Sequence, residues 1–61
     1  MFTVEDHGSI VLIRPLTDDV DRWIAEHVDP EAQWFGGALA CKPRYAEDIV
    51  HALAEEGYAL Q

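Results

Sequence analysis

The longest stretch without a charge in this 61-residue chain contains Gln33-Trp34-Phe35-Gly36-Gly37-Ala38-Leu39-Ala40-Cys41, and this stretch constrains the fold more than any other. In an extended segment Trp34 and Phe35 point to opposite faces, and Leu39 and Cys41 follow Phe35 at the even spacing that strands require. The pattern predicts one buried strand. Adjacent glycines weaken a strand unless another backbone or a bulky ring has to come close, so Gly36 and Gly37 are expected to mark a tight packing contact. The chain has neither the glycine spacing of a dinucleotide loop nor a Gly-Lys-Ser/Thr sequence, so a phosphate cradle is not expected there.

A chain this short buries only about 60% of the surface its unfolded form exposes, which predicts a single domain over residues 1–61 with a thin core. Its one cysteine excludes an internal disulfide, and no Cys/His spacing suits zinc, so oligomerisation or a tight partner is the expected support. Cys41 is expected to be a small buried hydrophobe, with a reactive thiol as the alternative. The opening Met1-Phe2-Thr3-Val4-Glu5 lacks the features of a signal peptide, and no apolar run approaches a membrane span, which predicts a cytosolic protein without a membrane partner.

Twelve acids against four bases give a net charge of -8. Direct nucleic-acid binding relies on Lys and Arg to neutralise phosphates, so it is not expected. The opposite role remains, in which an acidic surface occupies a basic groove; the alternative is that the charge only keeps the protein soluble.

Phe2 to Glu5 alternate as in a half-exposed strand, Asp6-His7-Gly8-Ser9 form a turn, and Ile10 to Arg14 form a second strand with apolar residues on both faces. Ile10 and Leu12 occupy one face and Val11 and Ile13 the other, which marks this as the central strand. Pro15 ends it, Thr17 is the predicted N-cap of a first helix, and Asp18, Asp19 and Asp21 sit in the first turn, where the helix dipole favours them. Val20, Trp23, Ile24, His27 and Val28 form its apolar stripe, and Arg22 is placed to pair with Asp18 and Glu26. The residue before Pro30 leaves the helical region, closing the helix. Pro43 suits the first turn of a second helix that buries Ala46, Ile49, Val50 and Leu53, with Gly57 as the residue after its end and Tyr58 packing back. Tyr58-Ala59-Leu60 is a candidate short edge strand.

The expected order is β-β-α-β-α, with or without a final β. This is an α+β fold: a small, mainly antiparallel sheet with two helices on one face. The uncovered face would expose apolar residues of the second strand, making homodimerisation through that face, or cover from a loop or the C-terminus, the expected remedies.

No nucleophile with a base, pocketed carboxylate pair or metal-ligand set is legible, so neither an enzyme nor a cofactor is expected. His27 reads as a partly buried structural residue, and His51, one turn from both Glu47 and Glu55, as a surface ion pair in preference to a zinc ligand. The acids carry more information. Helix neighbours three or four residues apart lie about 5–6 Å from each other, close to the phosphate spacing of a DNA strand. Asp18, Asp19, Asp21, Glu26, Asp29, Glu31, Glu47 and Asp48 are the candidate partner-binding residues, set against the alternative of two ordinary solvated helix faces.

Phe2-Thr3-Val4-Glu5, His7-Gly8-Ser9-Ile10, Gln33-Trp34-Phe35-Gly36-Gly37 and Pro43-Arg44-Tyr45-Ala46, in that order, resemble small proteins of bacterial phages and mobile elements. In size, charge and mixed pattern the chain is similar to the type I-C anti-CRISPR inhibitors that imitate DNA. The resemblance implies a non-enzymatic inhibitor in the cytoplasm of a bacterial host. Its implied partner is the Cas surface that normally receives DNA, in the PAM-reading large subunit, and its implied effect is to block target recognition. The alternative is a small structural homodimer or adaptor subunit whose acidity only solubilises it.

Overall fold

The computed structural model describes residues 1–28 and 32–61. Its elements run β1 (Phe2–Asp6), β2 (Val11–Pro15), α1 (Asp18–His27), β3 (Gln33–Phe35), β4 (Ala38–Cys41) and α2 (Pro43–Glu55). The four strands form one antiparallel sheet in the order β1-β2-β4-β3, so β2 is an inner strand as its two-sided apolar pattern predicts. The architecture is α+β, with one more strand than the sequence suggests: β-β-α-β-β-α.

The extra strand arises where a single one was expected. Phe35 pairs with Ala38 across Gly36 and Gly37, whose φ angles are +54° and +83°. A two-residue hairpin loop that follows the twist of its strands needs positive φ at its central positions, and glycine adopts this without a side-chain penalty. A Cβ built on either glycine meets nothing within 4 Å, so the expected tight packing contact is absent. The glycines serve conformation. Reversal of the chain also changes the environment of the residues before it: Trp34 and Phe35 lie on an edge strand and are exposed, whereas Leu39 and Cys41 on the inner strand are buried.

The pairings Val4↔Ile13, Ile13↔Leu39 and Leu39↔Trp34 put these residues on one face of the sheet, together with Phe2, Val11 and Cys41. The same core cluster contains Val20 and Ile24 of α1 and Ala46, Ile49 and Leu53 of α2, so both helices pack on this face. Val11 and Ile13 therefore point inward, and Leu12 lies on the uncovered face beside Ala40. On that open face Arg14 reaches the β3–β4 turn and donates from Nη1 to the Gly36 carbonyl at 2.7 Å.

The helix ends follow local chemistry. Pro43 opens α2, and Gly57, at φ +95°, closes it. The Tyr58 amide donates to the Leu53 carbonyl at 3.1 Å and the Gly57 amide to Ala54 at 3.1 Å, the paired bonds of a Schellman motif, while Tyr58 packs on the core. The chain then returns to the edge of β1. Phe2 and Leu60 form a parallel bridge, with the Phe2 amide donating to Ala59 at 3.2 Å and the Gln61 amide to Phe2 at 2.9 Å. The candidate final strand is thus a single bridge, which protects one sheet edge near its end.

Candidate functional site

The acids sit where helix geometry puts them. Val20 and Ile24 are the fully buried positions of α1, so Asp18 and Asp21 fall on one flank of the helix and Asp19 and Glu26 on the other. Each flank borders its own concavity. Asp18 and Asp21 line a cavity of about 260 Å³ with Leu16, Trp34 and Gly37. Asp19 and Glu26 line one of about 160 Å³ with Arg22, Trp23 and Tyr58. The candidate carboxylates described on α1 are therefore divided between its two flanks.

In α2, Glu47 borders a cavity of about 310 Å³ beside β1, with Val4, Val50 and Leu60 among its walls, and Asp48 is exposed. Asp29 and Glu31 lie outside the described residues, as does the junction at Pro30.

Thr17 occupies the N-cap position in extended conformation, but its side chain makes no capping bond to the helix backbone. The Thr17 hydroxyl instead acts on the Asp19 carboxylate, and this influence first, with a bond from the Val20 amide at 3.1 Å, outweighs desolvation and holds the Asp19 pKa below its usual value of 3.8. Asp19 is thus firmly ionised at neutral pH.

Arg22 forms no ion pair with Asp18 or Glu26, contrary to the expectation from their i,i±4 spacing. Among the described residues the close basic–acidic contacts are His7–Glu5 at 3.6 Å and His51–Glu55 at 3.7 Å, both at the exposed surface and charge-paired only when the imidazole carries a proton. His51 thus selects Glu55, not Glu47. The ten acidic side chains of the described residues are all exposed, and none is paired with a lysine or arginine.

His27 is exposed, not partly buried as its place on the apolar stripe suggests, yet its role is structural. Its ring stacks on Trp23 at 4.1 Å between centroids, and its Nδ1 donates to the Trp23 carbonyl at 2.8 Å. Cys41 is buried, its Sγ lies 3.7 Å from the Val11 carbonyl, and burial pushes its thiol pKa up. A thiol held protonated is a poor nucleophile, which favours the packing role. Among the described residues no three His, Cys, Asp or Glu side chains are gathered to hold a metal ion, and no helix is long and apolar enough to cross a membrane.

No family model, curated protein or solved structure matches the chain.

Sequence reasoning also misplaced Trp34. Taken as part of a buried strand, it is instead 39% exposed and lines the cavity that holds Asp18 and Asp21. The signal was present in Phe35-Gly36-Gly37-Ala38, because two glycines between alternating segments are a hairpin signature as well as a packing one.

Proposed function

We propose that the protein is a non-enzymatic acidic inhibitor that occupies a basic surface of a nucleic-acid-binding protein in the bacterial cytoplasm. The observation that carries this reading is the largely uncompensated acidic surface: of the ten exposed carboxylates of the described residues none has a lysine or arginine partner, and only Glu5 and Glu55 have a histidine beside them. Charges paired within the chain have little reach, whereas uncompensated ones on a small rigid body steer it toward positive grooves. Asp18, Asp19, Asp21, Glu26, Glu47 and Asp48 supply the carboxylates, with Asp29 and Glu31 continuing the series in the sequence. The resemblance to DNA-mimicking anti-CRISPR proteins names the partner to try first, a Cas surveillance complex of type I-C and its large subunit.

The test is calorimetric titration of that complex with the protein at low and high salt. Affinity is expected to fall steeply as salt rises, because attraction between exposed charges is screened within about 8 Å at physiological ionic strength. Replacing Asp18, Asp21 and Glu26 together by amides should weaken binding about tenfold or more, and replacing Glu55 and Glu56 should do less. Affinity that is flat across salt rules out charge mimicry.

The uncovered sheet face supports a second reading, an adaptor or structural homodimer. Phe35 is 56% exposed there and Leu12 only half-buried, and apolar side chains on an uncovered face favour association. A solution mass twice that of the chain is its signature, and a monomer at high concentration removes it.

A further inference from the structure

The geometry points to a specific anchor site: the groove between the β3–β4 hairpin and the start of α1 takes one arginine side chain presented by the partner protein. This inference rests on the acidic-surface reading and names where on that surface the decisive contact falls.

The groove has two unlike walls. Leu16, 50% exposed, and Trp34, 39% exposed, offer apolar and aromatic surface, and Asp18 and Asp21 line the same space. At about 260 Å³ it is smaller than the usual pocket for a drug-sized ligand and suits a single side chain. Among the described residues no lysine or arginine lines it, whereas Arg22 lines the cavity beside Asp19 and Glu26. The nearby Arg14 is committed to the Gly36 carbonyl from the sheet's open face. A cation entering the groove therefore meets two carboxylates with no resident competitor.

Charge complementarity fixes the occupant. An aliphatic side chain would be brought against two carboxylates at a cost in desolvation, and an anion would be repelled. A lysine ammonium satisfies the charge but is compact and strongly hydrated. Guanidinium alone is planar enough to stack on an indole and carries enough donors to reach carboxylates at the same time. Buried tryptophan–arginine contacts are also the kind that concentrate binding energy in protein interfaces.

The groove exists because of the feature the linear pattern hid. Gly36 and Gly37 reverse the chain, leaving Trp34 on an edge strand whose face toward the helices extends to the first turn of α1. Had residues 33–41 formed one continuous strand, Trp34 would have no reason to meet Asp18 and Asp21.

The experiment is a titration of ¹⁵N-labelled protein, at low salt, with an acetylated Gly/Arg hexapeptide, its Gly/Lys twin and its Gly/citrulline twin. The arginine peptide is expected to shift the Trp34 indole N–H and the amides of Asp18, Asp21 and Gly37 more than those of Glu47, Asp48, Glu55 and Glu56. It should bind about two- to fivefold more tightly than the lysine peptide, the range expected for an exposed cation–π contact, and the citrulline peptide should not saturate. Trp34→Ala should remove that preference, with Trp34→Phe retaining part of it, and the amide spectrum of each variant reports whether it is folded. Asp18→Asn with Asp21→Asn should lower the affinity for the arginine and lysine peptides alike, a second and independent test of the groove.

Shifts spread evenly over both helices, with Trp34→Ala without effect, overturn the groove and leave the acidic-surface reading standing. Unchanged arginine affinity in the double asparagine variant, or no binding at low salt, also overturns it. Failure of the wider reading is recognised separately, by salt-independent binding to the Cas complex.

Discussion

Replacing Gly37 discriminates between the two physical reasons for a glycine pair at this position. Its φ is +83° and a Cβ there meets nothing within 4 Å, so the cost of a side chain is conformational and not steric. An L-residue forced into the left-handed region loses roughly 1–2 kcal/mol, and asparagine, whose short amide suits that region, loses less. Gly37→Ala is therefore expected to destabilise by about 1–2 kcal/mol and Gly37→Asn by a smaller amount, although asparagine is the larger side chain. With a urea slope of about 1 kcal/mol/M for a domain this small, alanine should lower the midpoint by about 1–2 M with the slope unchanged. Urea unfolding followed by circular dichroism measures this directly. If asparagine is as harmful as alanine or worse, bulk governs the site and the conformational account is wrong; a neutral alanine refutes that account as well.

Ile13→Asp should unfold the protein because Ile13 is fully buried in the core cluster, whereas Leu12→Asp on the uncovered face should leave a cooperative thermal transition; the two melting curves separate them. Thr17→Ala should let the Asp19 carboxyl titrate closer to 3.8, seen by NMR, because the Thr17 bond is the largest influence lowering it. The sign follows from linkage. A carboxyl with a depressed folded pKa stabilises the fold above its unfolded pKa, and this contribution fades as pH falls through the folded value, so the wild-type loss of stability below about pH 4 should be shallower in the Thr17 variant. Cys41 should react with thiol reagents far more slowly in the native state than in urea, and its raised pKa means that stability declines as pH rises above the unfolded thiol value; native-state labelling rates across pH check both.

Much of the fold was legible because it depends on neighbours in the chain. The period-two pattern of Phe2–Glu5, the two-sided apolar run of β2, the three- and four-residue spacing that buries Val20 and Ile24, Pro43 at one end of α2 and Gly57 at the other are local choices of backbone, and each element stands within a residue of where they put it, β2 starting at Val11 and leaving Ile10 exposed before it. The same holds for net charge and for the exposure of the acids of the described helices, since an apolar stripe determines its own opposite side.

What the tertiary structure decided was the environment of residues whose local pattern fits two outcomes. Alternation says that Trp34 and Leu39 lie in strands, but only the reversal at Gly36-Gly37 puts Leu39 on an inner strand and Trp34 on an edge. Arg22 has helical partners at the right spacing, yet side chains in water need not meet them, because an exposed pair gains little and gives up rotamer freedom. Which face of β2 the helices cover, and that Asp18 and Asp21 share a groove with Trp34 while Asp19 and Glu26 face Tyr58, depend on how helices seat against a sheet. Spacing along a chain determines faces, but contacts between elements far apart in sequence determine what each face meets.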